Sequence, residues 1–228
     1  MPHRAPATPL GYLTKTETIH TLGADLQVRS LLDRQQFHDP LGEAEREGIS
    51  SSSWPLFGLL WPSGRVLAHW MQSVDLQGKR VLEVGCGLAL ASLVVHRRGG
   101  DVTASDAHPM SRPFLEENLR LNALGPMTYA DGNWGRQNPE LGLFDLIIGS
   151  DVLYERDQPA QLAAFIDRHS APGGEVLIVD PNRGNCPAFR RAMAGFGYLY
   201  GESRADCTFA DGEAYRGRFL HFHRGVVT

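Results

Sequence analysis

The stretch Arg80-Val81-Leu82-Glu83-Val84-Gly85-Cys86-Gly87-Leu88-Ala89-Leu90 decides the fold. Residues 80–84 form a short apolar run suited to a strand, Gly85 and Gly87 make a turn, and residues 88–98 carry a helical pattern closed by Gly99-Gly100. A strand passing through a glycine turn into a helix opens a βαβ unit, and ligands of such sheets sit beyond the carboxyl ends of the strands. Toward the C-terminus the alternation continues. Strands are predicted over 101–105, 127–130, 144–149 and 175–179, helices over 112–123, 159–169 and 187–194, and terminal strands over 198–200 and 218–222. The runs 144–149 and 175–179 are continuously apolar, as strands covered on both faces are. The expected fold is a doubly wound, Rossmann-like α/β sheet, mainly parallel.

Toward the N-terminus, residues 1–15 read as a disordered leader, rich at first in Pro and Ala without periodicity. Residues 16–21 and 26–30 alternate polar and apolar around Gly23-Ala24-Asp25, the pattern of a β-hairpin. Residues 35–53 read as a polar surface loop with a short helix over 43–47, and an apolar segment from Trp54 leads into a helix after Pro62-Ser63. An extension over 16–78 and a core over 79–228 are expected to form one domain, as 228 residues allow.

Composition narrows the functions. With 42% hydrophobic residues the chain is not disordered, and no apolar run reaches the roughly 18 residues of a bilayer span. The opening residues lack the apolar segment of a secretory signal, so a cytoplasmic protein without membrane contact is expected. Lysine and arginine number 22 against 26 acids, and basic residues occur only as short pairs such as Arg97-Arg98, which argues against a nucleic-acid partner. The three cysteines are far apart and the nine histidines form no cluster, so neither a disulfide framework nor a metal site is expected. The cysteines read as buried small hydrophobes, and the histidines as surface or packing residues.

The glycine turn carries the chemistry. Gly85 and Gly87 let a ligand approach the backbone. A dinucleotide site wants glycine or alanine where Leu90 stands, and the Glu83 carboxylate repels pyrophosphate while it suits a cation. Both departures favour S-adenosylmethionine, which carries a sulfonium and an ammonium, over NAD. Asp106 ends the second strand about twenty residues after Gly85, the spacing at which such folds bind ribose hydroxyls; the alternative is that it only caps the next helix.

On these residues the chain resembles the class I, seven-β-strand, S-adenosylmethionine-dependent methyltransferases. More narrowly, it resembles the methyltransferase-like family that methylates lysine, and in some members arginine, on proteins. The resemblance runs from about Phe57 to Asp180. Phe57-Gly58-Leu59-Leu60-Trp61-Pro62 resembles the family's segment before the core, whose tryptophan reaches the cofactor. Residues 81–87 match its Glu-x-Gly-x-Gly turn, and Asp106 its ribose-binding acid. Asn133-Trp134-Gly135 resembles the Trp-Gly pair near the adenine, and Ser150-Asp151-Val152-Leu153-Tyr154 matches the Asp-x-x-Tyr signature after the fourth core strand.

The resemblance implies a seven-stranded sheet, S-adenosylmethionine as cofactor with S-adenosylhomocysteine as product, and a protein substrate. Cofactor contacts are then expected from Trp61, Glu83, Gly85, Gly87, Asp106, Asp131, Asn133, Trp134 and Ser150. Asp151 would accept a hydrogen bond from the acceptor amine and stabilise the cation that forms, with Tyr154 as an aromatic wall. Trp61 reads equally as a core residue, and the adenine amino group could meet Asp131 or the backbone beside Trp134. Glu116, Glu117 and Asn118 read as a solvated helix face. The segment Asp180-Pro181-Asn182-Arg183 closes a strand on the functional edge and could equally be a polar turn, and residues 203–216 read as a polar, substrate-facing loop. Small-molecule N-methylation and a non-catalytic cofactor-binding module remain as alternatives. Oligomeric state leaves no signal in these residues.

Overall fold

The computed structural model describes residues 11–21 and 25–224. β1 (Thr14–Ile19) and β2 (Leu26–Leu31) form the expected antiparallel hairpin, with Thr14 opposite Leu31 and Ile19 opposite Leu26. Gly23 and Ala24 of the expected turn, and the first ten leader residues, lie outside the described residues. Residues 11–15, expected in the leader, belong to the fold. Thr14 and Lys15 are already in the strand, and Tyr12 is buried against Trp54 and Phe114, with ring centroids 5.8 and 6.0 Å away.

α1 (Glu43–Arg46) is a single turn, and a 3-10 turn, Trp54–Gly58, precedes α2 (Pro62–Trp70), which starts on its proline. The alternating region then runs β3 (Arg80–Val84), α3 (Leu90–Arg97), β4 (Asp101–Asp106), α4 (Ser111–Leu121), β5 (Thr128–Asp131), β6 (Phe144–Ser150), α5 (Gln158–His169), β7 (Ser170–Asp180) and α6 (Cys186–Gly195). β7 begins before its expected apolar run, because Ser170 pairs with Phe144 ahead of an irregularity in register. β8 (Tyr198–Arg204) is followed, inside the expected polar loop, by the small hairpin of β9 (Cys207–Thr208) and β10 (Ala214–Tyr215), and then by β11 (Arg218–Arg224).

Seven strands form one sheet in the order β5-β4-β3-β6-β7-β11-β8. β11 lies antiparallel to both neighbours, and the pairings from β5 to β7 are all parallel. The chain winds from β3 out to β5, then returns to β6 on the other side. The reversal opens a crevice between β3 and β6 at their carboxyl ends, the place where this architecture receives ligands.

The extension shares the core of the sheet. Trp54, 1% exposed, joins the same apolar cluster as Leu67, Leu93 and Phe114, and truncating a buried tryptophan of this kind costs roughly 3–5 kcal/mol. Two asparagines complete the attachment. Asn122 Oδ1 accepts the Gln27 N–H at 2.8 Å while its amide donates to the Gln27 carbonyl at 2.7 Å, and Asn118 Oδ1 accepts the Arg29 N–H at 2.7 Å. Asn118 is therefore fully buried rather than on a solvated face, since it answers the open edge of β2. Glu116 and Glu117 do face solvent, paired with Arg112 and Arg120. Among the described residues no helix is long and apolar enough to cross a membrane.

Candidate functional site

A cleft of about 530 Å³ occupies the crevice. Its floor is the turn after β3. Gly85 and Gly87 stand at φ 57° and 51°, and a Cβ on Gly87 would lie 2.8 Å from the Phe57 carbonyl oxygen, so glycine is what lets the Trp54–Gly58 turn close over the loop. Asp106, at the end of β4, reaches back to this turn: the Gly87 N–H donates to its Oδ2 and the His108 N–H to its Oδ1, both at 2.8 Å. It thus fixes the turn ahead of α4, whose N-terminus has no side-chain cap, and also lines the cleft. Each oxygen retains further lone-pair capacity toward a ligand hydroxyl. Burial pushes its pKa upward.

Glu83 lies beneath the same turn. Its Oε2 accepts the Ser92 N–H at 2.7 Å and the Ser92 hydroxyl, fastening β3 to α3. Burial, with Asp106 adding negative charge, pushes the carboxyl up to about 7. A cation entering the cleft would favour its ionised form.

The loop after β5 forms one side. Trp134 lines the cleft and its indole N–H is buried without a partner; it lies against the turn, 3.5 Å from where a Gly85 Cβ would stand. Asn133 also lines the cleft, its amide donating to Glu47 Oε2 at 2.9 Å. Asp131 does not. Its carboxylate accepts the Asn133 N–H at 3.0 Å and stays exposed beside Arg136, shaping the loop from outside the cleft, because the last residue of β5 points away from the crevice.

The extension forms the roof. The Trp61 indole N–H donates to the Leu56 carbonyl at 2.9 Å, and the half-buried ring lines the cleft rather than the core. Arg34 lies 5.0 Å above the Trp61 ring. His108 stacks on Phe57, with centroids 3.9 Å apart and planes at 16°, and its Nδ1 accepts the Met110 N–H. Burial lowers its pKa to about 3, so the ring packs in its neutral form.

β6 supplies the remaining wall through Ser150, Asp151 and, three residues on, the half-exposed Tyr154. Asp151 has φ 54°, its N–H donates to the Val179 carbonyl at 2.9 Å, and its carboxylate receives Arg183 Nε at 2.7 Å and Nη2 at 2.9 Å. A non-glycine residue held in this left-handed region stores strain, a common property of functional positions.

The cleft can therefore hold a ligand with hydroxyl and cationic groups between carboxylates, glycine backbone and indoles, with Asp151 and Tyr154 on its wall. A model of the family described as lysine methyltransferase matches residues 51–188. The chain belongs to this lysine methyltransferase family. It is 28% identical over 174 residues to the electron transfer flavoprotein beta subunit lysine methyltransferase of Mus musculus, a match covering 75% of this chain and 66% of that protein. It is 32% identical to protein N-lysine methyltransferase METTL21A of Danio rerio, across 57% of this chain and 63% of that one. The chain thus spans just under two thirds of these relatives' lengths. Among solved structures, the T. Thermophilus 16S rRNA N2 G1207 methyltransferase in complex with AdoMet and guanosine superposes with a TM-score of 0.62 at 18% identity, over 96% of this chain and 53% of that one, a likeness of fold.

In this member of the family the cleft gathers every expected site residue except Asp131. Further residues line it too, among them Arg34 and Glu47 from the extension and Arg183 from the turn after β7. Arg34 and Glu47 precede the matched segment and carry no motif, and the expected polar loop over 35–53 in fact contributes Glu47, Gly48, Ile49 and Ser53 to the wall. Cys86 is buried as expected, Cys186 is half-buried and Cys207 is exposed, because the small hairpin lifts it from the core. Among the described residues no group of three or more His, Cys, Asp or Glu could hold a metal ion.

Proposed function

We propose that this protein is an S-adenosylmethionine-dependent protein N-methyltransferase acting on a lysine side chain. The observation that carries the reading is that the glycine turn with Asp106 and the Asp151-to-Tyr154 segment line one cleft, at the crevice of a lysine methyltransferase-family fold. The spare acceptor capacity of Asp106 and the unpartnered Trp134 N–H, beside a glycine turn that lines the cleft, fit the cofactor. Gly85, Gly87 and Asp106 would hold it, with Glu83 balancing its charge and Trp61, Asn133, Trp134 and Ser150 enclosing it. When bound, S-adenosylmethionine supplies an electrophilic methyl group on sulfur.

The chain's own residues orient and desolvate the acceptor, since methyl transfer gains mostly from close, aligned approach. Tyr154 offers a ring face that favours a cation. Asp151 accepts a hydrogen bond from the amine and stabilises the charge that develops on nitrogen. Supporting this reading, the named relatives are lysine methyltransferases with protein targets. A single methyltransferase domain, with the extension as its substrate-side roof, goes with it, as does a reducing, cytoplasmic setting for three unpaired cysteines.

Calorimetry with S-adenosylmethionine and S-adenosylhomocysteine tests the cofactor: no binding of either would sink the assignment. Labelled-methyl transfer into a cell lysate, resolved by size and followed by amino-acid analysis, is expected to yield methyl-lysine in protein. Label confined to small molecules would replace the protein substrate with a metabolite amine.

A further inference from the structure

Asp151 does not meet the cleft as a free carboxylate. Arg183 grips both its oxygens, and the Arg183 backbone N–H donates at 2.7 Å to Oδ1 of Asp180, whose Oδ2 is buried without a partner. The Arg183 side chain is 41% exposed against 10% for Asp151, so the ion pair lies at the cleft surface with its carboxylate sunk into the wall. The titratable groups that sense Asp151 are Asp180 at the end of β7, Tyr215 of β10 and Tyr154 of the loop after β6, with Glu155 and Asp106 acting in turn on Tyr154. All are acidic or neutral. Arg183 is the cation that the ion pairs of the described residues place on Asp151.

This arrangement answers a difficulty in the chemistry. A lone carboxylate beside an amine favours the ammonium form, and an ammonium has no lone pair to give. In the transfer, the amine lone pair forms the N–C bond while the electrons of the C–S bond pass to sulfur, leaving a thioether and a methylated ammonium that afterwards releases a proton to solvent. Asp151 must accept a hydrogen bond from the neutral amine without trapping its proton. We propose that Arg183 is a positioning residue for this step: it fixes the Asp151 carboxylate in one orientation and balances its charge, so that the acceptor meets Asp151 as the neutral amine. The proposal rests on the lysine N-methyltransferase reading. Planarity matters as well as charge, because the guanidinium fork sets carboxylate orientation in a way an ammonium does not.

The test is the pH dependence of kcat, which reports ionisations in the enzyme–substrate complex. Wild type, Arg183→Gln, Arg183→Ala and Arg183→Lys are compared for labelled-methyl transfer, at saturating S-adenosylmethionine, into recombinant electron transfer flavoprotein beta subunit and into whole-cell lysate. Removing the cation shifts the acidic limb of kcat upward by about one pH unit in both the glutamine and alanine variants, with cofactor affinity within about threefold of wild type. Lysine returns the limb to near its wild-type position, with kcat still several-fold low because the fork is lost. A uniform fall in kcat at every pH, or no change, in the glutamine and alanine variants overturns the proposal while leaving the lysine reading intact. Wild-type protein that binds the cofactor yet labels no protein in either preparation overturns that reading, and the proposal with it.

Discussion

The backbone N–H of Gly87 donates to Asp106 Oδ2 at 2.8 Å, tying the turn after β3 to the end of β4. One carboxylate therefore shapes the glycine turn and faces the cleft. Asp106→Ala leaves the N–H groups of Gly87 and His108 without their acceptor, which costs about 1–3 kcal/mol in urea unfolding. The same variant is expected to weaken S-adenosylmethionine binding by at least about tenfold in calorimetry, the equivalent of one lost charge-assisted contact.

Gly87 and Gly99 both have positive φ, 51° and 78°, yet only at Gly87 would a Cβ meet backbone, the Phe57 carbonyl, while nothing lies within 4 Å at Gly99. Gly99→Ala should cost only the left-handed backbone term of about 1–2 kcal/mol. Gly87→Ala adds displacement of the Trp54–Gly58 turn and is expected to exceed it by about 1–3 kcal/mol. Equal costs in paired urea titrations would mean that the roof yields freely.

Asp151→Ala should lower turnover by at least about a hundredfold, the scale of losing one electrostatic stabiliser of developing charge. Cofactor affinity should stay within a few-fold, since Asp106 and the glycine turn are untouched. Full activity in this variant would remove Asp151 from the mechanism.

Glu83 gives the fold a pH signature. Its carboxyl moves from an ordinary 4.5 up to about 7 on folding, chiefly through burial. A raised native pKa means that the folded state keeps its proton longer than the unfolded one, so this contribution is complete below pH 4.5 and is lost as pH rises through 7. The size is on the order of 3 kcal/mol. Asp180, raised to about 6, acts in the same direction at lower pH, whereas His108, lowered to about 3, opposes both as pH falls below its ordinary 6.5. Comparison with Glu83→Gln isolates the first: the stability gap between wild type and variant should change between pH 4.5 and 8 and be flat above. A constant gap across that range would place a charged Glu83 in the native state throughout.

The parts of this molecule that were legible from the chain are those that local pattern determines. Short strand patterns locate β3, β4 and β6, and the strand-end positions of Asp106 and Asp151 follow from the last two. Helical periodicity puts Asn118 on a solvated face, because it does not reveal that a polar face meets the backbone edge of β2, 89 residues away in the chain. Glu47 carries no signal for the same reason, as its partners Asn133 and Arg136 lie 86 and 89 residues on. Arg183 sits in a turn that reads equally as a plain polar turn, and its bond to Asp151 exists only once β7 has been laid beside β6. Pairings made by the completed sheet have no period in the chain.

The place of β11 between β7 and β8 bears on how the protein is made. β8 leaves the ribosome before the strand that joins it to the sheet, and β7 meanwhile presents a second open edge. Until residues 218–224 emerge and slide into that gap, the nascent chain carries two unpaired strands facing each other across one vacancy. The site side of the sheet, from β5 to β7, can assemble first. Closure waits for the last described strand, so a chain that stalls or is cut before Arg218 would hold a nearly complete cleft on a body prone to recruit a foreign strand.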